Sequence, residues 1–251
     1  MTIQEIRSEY EQLKSEELNL FIDKYSKDAR SGVQKLIKQC QTRIKKAEEE
    51  NARLEHMLFY ERKYYETCDY VCGIDEAGRG PLAGPVVAGA VILPHNHKIP
   101  YLNDSKQLSE KKREELFDQI MNEALAVGVG IVSPKCIDEI NILQATYEAM
   151  RTAISQLDLK PEILLNDAVI IPNVSIPQEK IIKGDAKSLS IAAASIIAKV
   201  TRDRMMKEYH ELYPEYGFDK HKGYGSKEHI EAIRQFGPSP IHRYTFIKNF
   251  L

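Results

Sequence analysis

Two carboxylates, Asp75 and Glu76, stand side by side where the apolar segment YVCGI meets Gly78, Arg79 and Gly80. Two more acids fall at comparable points: Asp167 closes EILLN and Asp185 follows EKIIKG. Taken singly, each has an ordinary explanation. Asp185 near a helix start is favoured by capping and by the helix dipole, and Asp167 is a common turn residue. The Asp75–Glu76 pair is harder to set aside, because it ends a segment apolar enough to be buried. Four carboxylates drawn together repel and raise one another's pKa. They become sensible once hard cations sit among them, and an all-oxygen donor set favours Mg²⁺ or Mn²⁺ over zinc. Two such ions about 3.5–4 Å apart can activate water and stabilise a leaving oxygen in phosphodiester cleavage.

Those acids need elements to carry them. YVCGID, GPVVAGAVIL, AVGVGIVS, EILLND and EKIIKGD are rich in apolar and β-branched residues and read as five strands. SEKKREELFDQIMNEAL, with Ser109 as its cap, and NILQATYEAMRTAISQL have helical periodicity. DAKSLSIAAASIIAKVTRDRMMKEYHEL is a long helix that starts at Asp185 and whose small-residue face implies close packing. Strands and helices in this order predict an α/β or α+β layered domain. Strand neighbours alternate faces, so a turn at Gly78 is expected to swing Glu76 toward Asp75.

Residues 1–67 differ in composition. They are charged, lack proline and contain one glycine, Gly32, which predicts an all-helical N-terminal extension to a domain spanning 68–251. Ser31 and Gln34 fit a capping box. Ile37, Cys40, Ile44, Ala47, Asn51, Leu54 and Leu58 form a heptad-like stripe, read as a helix packed on its neighbours in preference to a coiled coil.

At 251 residues, 43% hydrophobic and 29% charged, the chain can bury a real core, and a net charge of −2 confines any nucleic-acid surface to a local patch. The four cysteines, Cys40, Cys68, Cys72 and Cys136, have no zinc-site spacing and read as free thiols. The N-terminus lacks signal-peptide character and no run could span a membrane, so a cytoplasmic protein is expected. His95 and His97 have a metal-like spacing but lie in a polar loop and read as surface residues.

The ordered segments GIDEAGRGPLAGPVVAGAVIL, LNDSKQLS, LLNDAV, KGDAKSLSIAAASIIAKVTRD, HKGYGSKEH and PIHR resemble the motifs of ribonuclease HII over roughly residues 70–250. The resemblance implies an RNase H-like fold, with a mixed five-stranded sheet flanked by helices. It also implies cleavage of RNA in RNA–DNA hybrids and incision at single ribonucleotides in duplex DNA, leaving 3′-hydroxyl and 5′-phosphate ends. By position, Asp75, Glu76, Asp167 and Asp185 correspond to the catalytic, metal-binding carboxylates. Gly78, Arg79 and Gly80 correspond to the loop that reads the ribose 2′-hydroxyl, and Tyr224 to a tyrosine packing on the neighbouring deoxyribose. Asn166, where an aliphatic residue is expected, and Ser226, where threonine is usual, depart from the pattern. Asn166 is expected to make the site rim more polar.

Lys106, Lys183, Lys187, Lys199, Arg202, Lys222 and Arg243 lie within these motifs and fit a phosphate-binding groove; Lys183 and Lys187 stand out because they flank Asp185. A monomer is expected, with the N-terminal helices available to substrate or a protein partner. Two rival readings are a ribonuclease HIII-type enzyme and a non-catalytic hybrid-binding module. The former is expected to carry a mixed α/β N-terminal domain, and the latter sits poorly with four intact acids. Walker spacing is absent from GRGPLAG and GYGSKE.

Overall fold

The computed structural model describes residues 1–251, which form two compact units, Met1–Glu55 and His56–Leu251. The first unit is helical. α1 (Ile3–Gln12) opens with a capping box between Thr2 and Glu5, and α2 (Leu18–Tyr25) and α3 (Ser31–Met57) follow. Ile6, Leu18, Phe21, Tyr25, Val33, Leu36, Ile37 and Cys40 close a small core. The apolar stripe of α3 is thus used, in its first half, against neighbouring helices. Gln34 does not complete a capping box with Ser31; its amide donates to the Asp28 carbonyl at 2.6 Å.

In the second unit, α4 (Phe59–Arg62) leads into β1 (Val71–Ala77) and β2 (Val86–Ile92). α5 (Glu110–Glu123), β3 (Ala126–Val132), α6 (Pro134–Ile140), α7 (Ile142–Ser155), β4 (Ile163–Asp167) and β5 (Gln178–Ile181) come next. α8 (Leu189–Leu212), α9 (Phe218–His221), α10 (Lys227–Phe236) and α11 (Tyr244–Ile247) complete it. The five strands form one sheet in the order β3-β2-β1-β4-β5. β1 and β3 run antiparallel to β2, whereas β4 is parallel to both β1 and β5. The sheet is therefore mixed, as expected.

Helices cover both faces, and glycines set their height. A Cβ on Gly73 of β1 would lie 2.0 Å from the Ser190 carbonyl carbon, and one on Gly89 of β2 would lie 2.5 Å from the Ala194 oxygen. On the other face, Cβ atoms on Gly128 and Gly130 would come within 2.0 and 1.9 Å of the Ala153 and Ala149 oxygens of α7. Helix backbone thus rests almost directly on strand backbone. The small residues of α8 and α7 complement the bare strands, at a spacing that any side chain would prevent.

α8 begins later than the sequence pattern suggests. Ser188 is its N-cap, accepting from Ile191 N at 3.2 Å, and Asp185 sits one turn earlier in a 3₁₀ turn, Gly184–Ala186. With Ser188 in the capping role, Asp185 is not needed there.

Candidate active site

Period-two alternation sorts the acids. On β1, Cys72 and Ile74 enter the core under α7, while Val71 joins the cluster that includes Ile191 of α8. On β4, Leu164 faces the α7 core and Ile163 and Leu165 face the α8 side. Asp75 and Asp167 therefore share the α8 face. The chain does turn at Gly78, whose φ is 96°, but β1 continues through Ala77, so Glu76 keeps its place within the strand. The ladder to β4 stops at Ile74↔Asn166, leaving residues 75–77 paired only with β2. Past that point, both Asp75 and Glu76 border one cleft of about 480 Å³, together with Gly78, Arg79, Gly80, Lys106, Asp167 and Tyr224.

Asp185 approaches this cleft through Lys106, and its neighbour Gly184 is tied to Asp167. Its carboxylate lies 3.5 Å from Lys106 Nζ, and the N–H of Gly184 donates to Asp167 Oδ1 at 2.7 Å. Asp75 accepts from its neighbour's amide, Glu76 N, at 2.8 Å. Glu76 Oε1 is 3.1 Å from Arg79 Nη1.

Asp75, Glu76 and Asp185 hold their protons unusually well. Burial pushes Asp75 well up, and the charges of Glu76 and Asp167 push it further. Glu76 is raised by burial despite Arg79, and Asp185 is raised by burial and by Asp104 and Asp167 despite Lys106. Burial would lower Lys106, but Asp104, Asp185 and Asp75 outweigh it and hold the ammonium charged. As the side chains stand, no group of three carboxylates closes into a cation cage. The physical reason is visible: Arg79 holds Glu76, Lys106 approaches Asp185, and backbone amides hold Asp75 and Asp167. Both cationic side chains are substantially exposed. The donor set is all carboxylate and partly dehydrated, which fits a hard divalent cation.

The glycine corner is braced from below. Arg243, fully buried, donates to the carbonyls of Gly78, Arg79, Gly84 and Pro85 at 2.6–3.1 Å. Arg202, 1% exposed, donates to Ala83, Pro85 and Lys222. Both guanidiniums are spent on carbonyls, so neither is available to phosphate, contrary to the expectation from their motifs. Burial lowers both, Arg243 to about 9. Lys199 does border the cleft, where its ammonium pairs with Asp203 at 2.7 Å, and the Lys222 ammonium contacts the Asp219 carbonyl. Lys183 and Lys187 are exposed, and neither borders the cleft. Tyr224, 48% exposed, lies across from the corner: a Cβ on Gly80 would be 3.9 Å from its ring.

Asn166 corrects another expectation. It is wholly buried and faces away from Asp167, donating to Gln178 Oε1 at 2.8 Å. Gln178 in turn bonds both backbone groups of Ile171. The amide anchors the segment leading into β5 and leaves the site rim unchanged. His95 and His97 have separate partners, the Asp69 carbonyl and Glu123, and form no metal pair. All four cysteines are free.

Sequence reasoning passed over Ser105, Arg113 and Ser195 in the cleft lining, and Glu61 at the start of α8. Glu61, 2% exposed, accepts through Oε1 from Ser188 Oγ (2.5 Å), Ser190 N (2.9 Å) and Ser190 Oγ (2.7 Å). Burial raises its pKa, and Oε2 has no partner. Nothing in the local sequence marks Glu61 among the other acids of residues 48–66; its role comes from a contact 127 residues away.

Comparison with known proteins agrees with this geometry. Residues 72–249 match the family described as Ribonuclease HII, and residues 2–65 match Ribonuclease HII N-terminal domain. A ribonuclease HII from Lachnoclostridium phytofermentans is 62% identical over 227 residues, covering 90% of this chain and 89% of that protein. One from Clostridioides difficile is 51% identical over 251 residues, covering 100% and 98%. The crystal structure of ribonuclease H2 from Pyrococcus horikoshii OT3 superposes with a TM-score of 0.60 at 32% identity, covering 72% of this chain and 96% of that one.

Proposed function

The chain belongs to the ribonuclease HII family, and from that premise we propose how its residues divide the work. The activity is that of a ribonuclease HII, a hydrolytic endonuclease. On the family resemblance, it cuts the RNA strand of RNA–DNA hybrids and the 5′ side of a single ribonucleotide in duplex DNA.

In this reading Asp75, Glu76, Asp167 and Asp185 hold one or two Mg²⁺ or Mn²⁺ ions. Bound there, hard cations supply Lewis acidity and charge neutralisation at the scissile phosphodiester. Arg79 and Lys106 balance the carboxylates when no substrate is present and turn to phosphate oxygens when it is. Main-chain N–H and C=O groups of Gly78, Arg79 and Gly80 test the ribose 2′-hydroxyl, which both donates and accepts. The exposed Tyr224 ring packs on the next sugar. Lys183 and Lys187 contact phosphates outside the cleft.

The supporting observation is the convergence of three acids, the Gly78–Gly80 corner and Tyr224 on one cleft, with Asp185 at its edge. One copy of the chain carries every residue invoked, so the reading needs no partner copy. No helix is long and apolar enough to cross a membrane. Free thiols fit a reducing cytoplasm. Residues 1–55 are assigned to substrate or partner contact and residues 56–251 to catalysis, because residues 56–67, expected to belong to the helical extension, pack with the catalytic unit.

The decisive experiment is incubation with a duplex carrying one ribonucleotide, with and without Mn²⁺, mapping the cut at nucleotide resolution. Metal-dependent incision immediately 5′ of the ribonucleotide is expected. Binding without product would favour a non-catalytic module, and activity confined to long hybrids would favour HIII-like selectivity.

A further inference from the structure

A buried pair of imidazoles, unused in the reading above, lies behind Tyr224. His229 and His242 are 0% and 1% exposed, and their Nε2 atoms are 2.9 Å apart. Each ring's other nitrogen meets a main-chain group of fixed character. Ser239 N–H, which can only donate, points at His242 Nδ1 from 2.9 Å; the Tyr224 carbonyl, which can only accept, lies 2.9 Å from His229 Nδ1. One proton arrangement satisfies this chain. His242 accepts at Nδ1 and carries its proton on Nε2; it donates to His229 Nε2, and His229 donates from Nδ1 to the Tyr224 carbonyl. Burial lowers both rings to about 4, consistent with a neutral pair.

The next residue after His242 is Arg243, whose guanidinium holds the carbonyls of Gly78 and Arg79. Two consecutive residues therefore reach opposite walls of the same gap: His242, through His229, holds the Tyr224 backbone, and Arg243 holds the glycine corner that faces the Tyr224 ring. The walls also meet directly, Leu82 N donating to the Gly223 carbonyl at 2.8 Å.

We propose that His229 and His242 are specificity-determining positioning residues, which with Arg243 set the separation between the Gly78–Gly80 loop and the Tyr224 ring and so the preference for a ribose–deoxyribose junction. This rests on the assignment of Tyr224 as the junction-reading side chain. Neither imidazole touches substrate. Both act by directing one carbonyl, and a side chain anchored through its own backbone inherits that direction.

The test compares Tyr224→Ala, His242→Ala and the double variant on two substrates, a duplex with one ribonucleotide and a long RNA–DNA hybrid. The His242→Ala variant is expected to lose about tenfold in kcat/KM on the first and far less on the second. In the Tyr224→Ala background the His242 substitution is expected to add little. Equal loss on both substrates, or additive losses in the double variant, would overturn the proposal, since a purely structural role moves both alike. If Tyr224→Ala itself shows no selective loss, the assignment of Tyr224 falls and the proposal with it. If Tyr224→Ala is selective and His242→Ala is not, only the proposal falls. Should His242→Ala not fold, Ser239→Ala keeps the main-chain donor and removes the hydroxyl 2.8 Å from His242 Nδ1. A smaller selective loss there supports the proposal, and equal loss or none overturns it.

Discussion

Asn166 and Asp167 are consecutive on β4 and turn to opposite faces of the sheet. Asp167 holds the Gly184 amide beside the cleft, while Asn166 holds Gln178 in the core beneath α7. One residue of register separates chemistry from architecture. Asn166→Ala is accordingly expected to lower stability by about 1–3 kcal/mol, the cost of a lost buried hydrogen bond, while leaving kcat within about twofold. Denaturant unfolding and steady-state cleavage separate the two effects, and a large fall in kcat at unchanged stability would place Asn166 in the reaction after all.

Asp75→Asn should reduce kcat by at least about 10²–10³-fold, the range for removing a preorganised charge stabiliser, with substrate binding largely spared. Its stability should move the other way. Because the Asp75 pKa is raised in the folded chain, the folded state holds more protons than the unfolded one between the ordinary and the raised value. Stability therefore drains away as pH climbs through that window. Without divalent ions, Asp75→Asn should be more stable than the parent at pH 8, with the advantage shrinking toward pH 4. Thermal unfolding in a chelator measures this directly, and a less stable variant at pH 8 would show that Asp75 is not electrostatically strained.

The buried imidazoles carry the opposite sign. His229 and His242 are depressed to about 4, so their contribution is present above the ordinary histidine value, about 6.5, and is lost as pH falls toward 4. The parent should therefore show a stability loss across pH 6.5–4 that His229→Gln/His242→Gln lacks. Urea midpoints across that range provide the check, with parallel profiles as the contrary result.

The segment between the helical unit and β1 is part of the catalytic unit's packing. Tyr60, Tyr64 and Tyr65 lie against Val71, Ile163, Leu165, Ile181 and Ile191, and Glu61 satisfies Ser188 and Ser190 at the start of α8. A chain starting at His56 should fold and cleave, whereas one starting at Cys68 uncovers an apolar face and strands buried donors, so it should aggregate or melt early. Glu61→Ala in the full chain should cost about 1–3 kcal/mol, with Glu61→Gln recovering much of it through its retained oxygen. Equal melting temperatures for the two truncations would remove the role assigned to residues 56–67.

Much of this was legible beforehand because it is local. Apolar runs ending in acids marked the strands, and bare glycines with a small-residue helix announced close packing. The side to which Asn166 points was also readable, since period two forbids it from sharing a face with Asp167; the family pattern drew attention to its chemistry instead of its direction. What stayed hidden depends on pairing across the chain. Arg202 and Arg243 look like phosphate ligands until the carbonyls they serve, all but that of Lys222 more than 110 residues away, are in place. The partners of Glu61 and the sequence of donors through His229 and His242 are invisible for the same reason.

The contact of α8 with Gly73 and Gly89 has a mechanical corollary. Peptide rests on peptide there, with no bendable side chain between to act as a cushion, so the helix has nowhere lower to settle. Ser195, five residues beyond Ser190 on that helix, and the Asp185 turn just before it are held to the strand bearing Asp75 by a rigid seat. Substitutions elsewhere on α8 can alter what the cleft touches, but its depth belongs to the main chain.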